Sequence, residues 1–465
     1  MERVLPKTLD YTDVLPLAVE SKARRRTFFP VNGATFVSNA ANIISIDLSA
    51  DALLDTQHSY LRFNLTGPAG NNMGIDYAGG HSFIRRLRIE QSGTVLEDIQ
   101  SYNRLMGAII LPCQSGADHK ATRTLTEAIK GDSAADGAMA VAPAAITANA
   151  AGALRQVGGN NNAETQFGNG GTYTFCIPLT SGLLNCDKLV PLMLMSAPLT
   201  IEIELASEVS AMIQNAGATA YTISDVRYVA NLVEVGQDVA QQLRMLQEVS
   251  GGVLTLAGQT YRHFQGAIAN ATDNVINVPA RVKSMKSIFF YSKGTNADAI
   301  GTYDLGSGGT MGLQEFQLKI GSVVYPPTPV QCQHRGGAAI GASGGQRSEQ
   351  LMELAKAWGN VGSNKGLGML QSLNYGTTIE TEANGAATNG FLSGGAQYVF
   401  CPYGLDLEAF QRVAIESGVN TADRSLPISL ILSHNSAQSE QQVDAFILAD
   451  ALFYINADGS MSVSV

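Results

Sequence analysis

Charge is the first thing this sequence is short of. Only 15% of its 465 residues are Asp, Glu, Lys or Arg, and acids outnumber bases 40 to 30, for a net charge of −10. A protein that coats nucleic acid neutralises phosphates with many Lys and Arg, so the balance argues against that role for the chain as a whole. Cysteine is scarce as well, at Cys113, Cys176, Cys186, Cys332 and Cys401. No pair has Cys-x-x-Cys spacing, which removes the usual zinc and redox signatures. The number is odd and a chain of this size needs no covalent staples, so free thiols in a reducing compartment are expected. No apolar run reaches the ~18 residues of a membrane-spanning helix. The opening stretch "MERVLPKTLDYTDVLPLAVESKARRR" is polar and interrupted, unlike a secretory signal.

Catalytic and ligand-binding patterns are missing too. His58, His81, His119, His263, His334 and His434 are scattered without ligand spacing, and no His-Glu-x-x-His, EF-hand loop or Walker lysine occurs. "GNVGSNKG" (Gly359–Gly366) looks like a phosphate loop, but Gly366 follows Lys365 where Ser or Thr is required, so it is expected to be a plain loop. A cupin-type oxygenase would need a His-x-His and carboxylate set. A lectin or adhesin sandwich would want aromatic platforms and calcium loops, and the chain has one tryptophan, Trp358. Asn64 and Asn270 match the glycosylation pattern, but Asn64 falls in an expected strand and there is no signal peptide. No enzyme, metal or cofactor is expected.

What is present is strand language. From Phe36 onward, short alternating or apolar runs are bounded by Gly, Asn, Asp and Pro. "PLTIEIEL" (Pro198–Leu205) alternates strictly, as a strand with one wet face does. "NIISIDL" (Asn42–Leu48), "SYLRFNL" (Ser59–Leu65), "SFIRRLRIEQSG" (Ser82–Gly93), "TYTFCIPL" and "SDVRYVANLVEV" (Ser224–Val235) read the same way. "QDVAQQLRMLQEVSGG" breaks the pattern. Val239, Leu243, Leu246 and Val249 fall near helical spacing and Gly251-Gly252 closes the run, which predicts a linker helix over Gln237–Ser250.

After that helix the first half is repeated in order. "NVINV" at Asn274 follows "NIISI" at Asn42 by 274 − 42 = 232 residues, and "PISLIL" at Pro427 follows "PLTIEI" at Pro198 by 427 − 198 = 229. "SIFFYS" (Ser287–Ser292) takes the place of "SYLRFN", and "FQLKIGSVVYPP" (Phe316–Pro327) that of "LRIEQSGTVLED". "YVFC" ending at Cys401 matches "YTFC" ending at Cys176, and Asp450 matches Asp225, both at an offset of 225. Ordered matches at nearly constant offset indicate an internal duplication. Each half also carries one long Gly-, Ala- and Asn-rich insertion at the same place, 100–172 and 330–397, the second holding an expected short helix over Ser348–Trp358. Insertions this long in β domains are usually functional surface. Each half therefore reads as an eight-stranded sandwich.

A tandem of such sandwiches resembles the double jelly-roll major capsid proteins of icosahedral double-stranded DNA viruses. "FFPVNGATF…NIISIDL…LLDTQHSYLRFNL", "FIRRLRIEQSGTVLEDI" and "IPLTSGLLNCDKLVPLMLMSAPLTIEIEL" look most like those of polinton-like viruses, adintoviruses and virophages. The likeness runs along nearly the whole chain but rests on architecture, because such proteins carry no catalytic signature. It implies an all-β fold: an N-terminal arm (1–30), a first jelly roll (31–236), a linker helix (237–252) and a second jelly roll (253–465). It further implies a homotrimer presenting six similar sides, contacts with penton, minor or cement proteins, and a place in the virion after synthesis in the host cytoplasm or nucleus rather than secretion. The alternatives are a carbohydrate-binding adhesin and a minor or vertex capsid component. Lys22, Arg24, Arg25 and Arg26, followed by Phe28 and Phe29, are the candidate interaction residues. On an interior arm they would meet the genome, the anionic headgroups of an internal membrane, or an acidic neighbour.

Overall fold

A computed structural model describes residues 21–67, 72–75, 78–114, 172–186, 188–207, 220–294, 313–332, 348–359, 401–409, 417–434 and 441–465, with a few short pieces between them. The first half supplies eight principal strands: β1 (Ser21–Phe28), β2 (Ile43–Leu48), β3 (Leu53–Thr66), β4 (Ile84–Gln91), β5 (Thr94–Gln100), β6 (Thr172–Ile177), β7 (Leu199–Leu205) and β8 (Thr222–Val235). The second supplies β9 (Val253–Ile268), β10 (Asp273–Asn277), β11 (Met285–Gly294), β12 (Leu313–Ile320), β13 (Val323–Gln331), β14 (Tyr403–Asp406), β15 (Ile428–His434) and β16 (Gln441–Asn456).

Hydrogen bonding arranges them in four antiparallel sheets. Sheet I runs β1-β8-β3-β6 and sheet II β2-β7-β4-β5; sheet III runs β9-β16-β11-β14 and sheet IV β10-β15-β12-β13. Each strand of the second half thus occupies the place of the strand eight before it. The repeat seen in sequence is a repeat of topology, and the order within each pair of sheets is that of a jelly roll.

Burial follows from the side-chain pattern. In β7, Leu199, Ile201, Ile203 and Leu205 are buried while Thr200, Glu202 and Glu204 face water. There they lie beside the basic residues of β4: Arg88 reaches Glu202 and Glu90, and Arg86 makes a paired contact of 2.7 Å with Asp98. β11 and β16 read instead as nearly unbroken apolar runs, "MKSIFFYSKG" and "QQVDAFILADALFYIN". Such runs suit a strand covered on both faces. Ile288, Phe290, Ala445 and Ile447 enter the core of the second sandwich, whereas Phe289, Tyr291, Phe446 and Phe453 join the core of the first.

Two expectations are corrected here. Ser21–Phe28, placed in a free arm, is the edge strand β1, paired with β8 from Ser21↔Val235 to Phe28↔Tyr228. Seven of its eight residues are exposed or half-exposed, so "SKARRRTF" has no apolar alternation to announce a strand. The linker helix forms as expected, as α2 (Gln237–Val249), with Val239 and Leu243 half-buried. Leu246 and Val249 are 54% and 86% exposed, and the buried residue is Gln247, whose Nε2 donates to the Ile455 carbonyl at 3.0 Å. The 100–172 insertion is not all loop: residues 102–114 form a buried helical segment, α1, wound as π-helix over Leu105–Ile110. α3 (Ser348–Ala357) occupies the matching place in the second half.

The two matched motifs of offset 225 fare unequally. Asp225 and Asp450 lie on corresponding strands but at different heights, the fourth residue of β8 against the tenth of β16. Residues 398–400 of "YVFC" lie outside the described residues, as do Lys365 and His119.

Candidate functional site

The two sandwiches meet along a seam. On one side stands the outer face of sheet III; on the other are the edge strand β5, α1 and the turn after β6. Phe289 stacks on Trp358 with ring centroids 4.4 Å apart, and both belong to the same apolar cluster as Leu105, Met106 and Ile109 of α1. Backbones touch at Gly182 and Gly258. A Cβ on Gly258 would overlap the Gly182 carbonyl, and one on Gly182 would lie 2.9 Å from the carbonyl oxygen of Gln259.

Polar groups lock this contact. Glu97 of β5 is buried, and its carboxylate accepts four hydrogen bonds: from Ser181 Oγ (2.6 Å), Gly182 N (2.8 Å), Leu183 N (3.3 Å) and, across the seam, Thr260 Oγ1 (2.6 Å). Loss of water pushes the Glu97 carboxyl above its usual range, only partly offset by these donors. Asp444 of β16, fully buried, takes His263 Nε2 at 2.7 Å and, from α1, Arg104 Nη1 at 3.1 Å. Burial opposes its ionisation, but the hydrogen bond from His263 and the charges of Arg104, His263 and Lys293 outweigh it, so its pKa is held below the ordinary value. Gln91 closes the end of the seam, donating to the Gly459 carbonyl at 3.1 Å and accepting from Met461 N at 2.6 Å.

Among the described residues nothing covers the equivalent of the seam face on the first sandwich, the outer face of sheet I. Tyr60, Arg62, Asn64, Arg227 and Asn231 stand there half-exposed beside the exposed Arg25. Arg25 donates to Tyr60 Oη at 3.3 Å. Arg62 and Arg227 both hold Asp225, and the hydrogen bonds from these two guanidinium groups lower its pKa.

Of the residues singled out from sequence, Lys22, Arg24, Arg25 and Arg26 are all exposed on β1. Arg24 pairs with Glu234 at 2.7 Å, Arg26 lies over the Phe28 ring at 4.8 Å, and Arg227 over that of Phe29 at 5.6 Å. Phe28 is buried, so it anchors the strand; Phe29 is 57% exposed. Cys401 fills space in the second core and Cys176 stands half-buried on β6 opposite Arg62. Among the described residues no cluster of His, Cys, Asp or Glu has the makings of a metal site. Sequence reasoning missed Glu97, Asp444, Gly182 and Gly258. A carboxylate inside the hydrophobic run "DAFILAD" was the one available signal, and it pointed to Asp444.

No protein-family model matches the chain, and no curated protein matches it. Solved structures do. The major capsid protein of mavirus is 11% identical at a TM-score of 0.51, over 100% of this chain and 96% of that one. The Faustovirus major capsid protein is 9% identical at 0.53, over 97% and 92%. A chain of the Sputnik virophage solved by cryo-electron microscopy is 10% identical at 0.53, over 100% and 93%. Two sandwiches with one strand order, matched from end to end by these structures, make the fold of this chain a double jelly roll.

Proposed function

We propose that the protein is a major capsid protein, which closes into a trimer of six jelly rolls and tiles the faces of an icosahedral shell around double-stranded DNA. The carrying observation is the unequal use of two equivalent surfaces. The outer face of sheet III is consumed by the seam, whereas the outer face of sheet I, related to it by the repeat, is left open by the described residues. The other side of the seam is built from β5 and α1, whose counterparts β13 and α3 present the exposed Val323 and Met352. If sheet I of one copy meets β13 and α3 of the next as sheet III meets β5 and α1, each contact repeats the last. Three copies then close a ring of six.

In this reading the jelly rolls are units 31–236 and 253–465 joined by helix 237–252, with β1 added to the first. The role is structural rather than enzymatic, and the finished protein resides in the virion. Penton and minor or cement proteins fill positions that trimers leave. Lys22, Arg24, Arg25 and Arg26 form a basic edge suited to an anionic partner beneath the shell, genome or headgroups.

Light scattering with negative-stain imaging tests the proposal. A mass three times that of the chain and hexagonal outlines are expected, with Arg62→Glu/Arg227→Glu leaving folded single chains. A compact monomer at every concentration, with no shells, would sink it.

A further inference from the structure

An apolar groove of about 790 Å³ opens between α2 and the sheets beside it, lined by Leu53, Leu189, Pro191, Leu243, Leu246 and Leu254 among others. Such a volume falls in the range of ~300–1,000 Å³ that accommodates a ligand or a short run of side chains. Leu246 and Leu189 are 54% and 38% exposed there, and among the described residues Lys188 is its one charged lining residue. Among the described residues, nothing covers this apolar surface of α2.

The described chain starts beside this groove. Ala23 of β1 pairs with Val233, Val233 with Leu53, and Leu53 with Pro191 of the short strand Val190–Pro191. At ~4.8 Å per strand, Leu53 lies about 10 Å and Pro191 about 14 Å from Ala23 in one row of the sheet. Ser21 pairs with Val235, two residues before α2 begins. Twenty residues precede Ser21, outside the described residues: MERVLPKTLDYTDVLPLAVE. Leu15, Leu17 and Val19 alternate in this segment, and Pro6 and Pro16 disfavour a continuous helix. Extended at ~3.3 Å per residue, Leu17 reaches about 13 Å from Ser21 and Leu15 about 20 Å, which spans the groove. The segment's four acids, Glu2, Asp10, Asp13 and Glu20, exceed its two bases, Arg3 and Lys7, so its charge is opposite in sign to that of Lys188.

We propose that residues 1–20 of the same chain dock in this groove, with Leu15 and Leu17 inserted against Leu246 and Leu53. The segment then clasps α2 to both sandwiches and covers the apolar surface of the linker.

Hydrogen exchange on the full-length protein tests this against the full-length Leu246→Arg variant, with Leu189→Arg as a second substitution should the first fail to fold. Amides from Val14 to Val19 are expected to exchange about tenfold more slowly in the parent. Equal exchange in parent and variant overturns the proposal. In a second arm, full-length protein carrying Leu17→Cys and Leu246→Cys is oxidised at low concentration, and an intrachain disulfide is expected. A disulfide found only between chains shows that a second copy supplies the occupant and overturns it. So does a fall in oligomer mass in Leu246→Arg with the exchange of residues 1–20 unchanged.

Discussion

Glu97→Gln is the sharpest probe of the seam. In the parent, one carboxylate oxygen accepts Ser181 Oγ and Leu183 N, and the other accepts Gly182 N and Thr260 Oγ1. Glutamine keeps one acceptor oxygen. Its amide group can donate to a hydroxyl that turns to accept, but whichever way it points it faces a backbone N–H. One buried N–H therefore loses its acceptor, at a cost of about 1–3 kcal/mol. The pH dependence separates this from a generic packing defect. The folded-state pKa of Glu97 is raised, so its contribution is complete below the ordinary value of 4.5 and is lost as pH rises through the folded value. The neutral acid explains why: it donates its proton to a hydroxyl, still accepts both backbone N–H groups, and carries no charge into the seam. Acidification from neutral toward pH 5 should stabilise the parent, and Glu97→Gln should lack that slope. Trp358, the single tryptophan, stacks on Phe289 at the seam, so its fluorescence during urea unfolding reads the event directly. Parallel pH profiles for parent and variant would refute the account of Glu97. Thr260→Val with Glu97→Gln completes a cycle, and a coupling near zero would refute the bond across the seam.

The remaining expectations use the same assay. Asp444→Asn should cost most at neutral pH. The folded pKa of Asp444 is depressed, so its contribution is present above the ordinary 3.8 and lost as pH falls through the folded value; the gap between parent and variant should close there. Gly258→Ala forces a methyl group into the Gly182 carbonyl, and overpacking of this kind costs about 1–3 kcal/mol or more; an unchanged urea midpoint would show that the seam yields. Lys286 is buried between Glu408 at 2.8 Å and Asp450 at 3.3 Å, so Lys286→Ala removes the cation that pairs with both acids and should cost about 3–5 kcal/mol, measured as a lowered midpoint.

What could be read in advance depended on whether one face of a strand is wet. β7 was plain because Glu202 and Glu204 alternate with buried Ile201 and Ile203. β11 and β16 were found as strands, but their unbroken apolar runs also meant two covered faces, and that was the trace of the seam. β1 was missed because its side chains stay in water; only its ladder to β8 makes it a strand. Glu97 was invisible for a different reason. The ladder between β4 and β5 shifts at Leu96, pairing Ile89 with Glu97 but Glu90 with Val95. A bulge of this kind interrupts the two-residue period, so Leu96 and Glu97 are both buried, whereas alternation sends one of them to solvent. Asp225 and Asp450 mark the opposite failure, where two strands of equal rank were aligned through a chance letter at the wrong height.

The same repeat explains why its two halves are not equally apolar. Had both sandwiches kept identical outer faces, sheet I would carry the aromatic surface that sheet III hides, and a free chain would expose it. Patches of that kind lead to indiscriminate association. Sheet I instead presents Arg62, Arg227 and Asn231, with Asp225 accepting hydrogen bonds from both guanidinium groups. On the proposed assembly its contacts would be polar, where those of sheet III are dry and lie within the chain. A contact inside one chain forms once, during folding, and gains from being dry. A contact between chains must wait for a partner and stay soluble until then. The divergence of sheet I from sheet III is therefore what the repeat requires, if one face is to be buried within the chain and its twin is left for another copy.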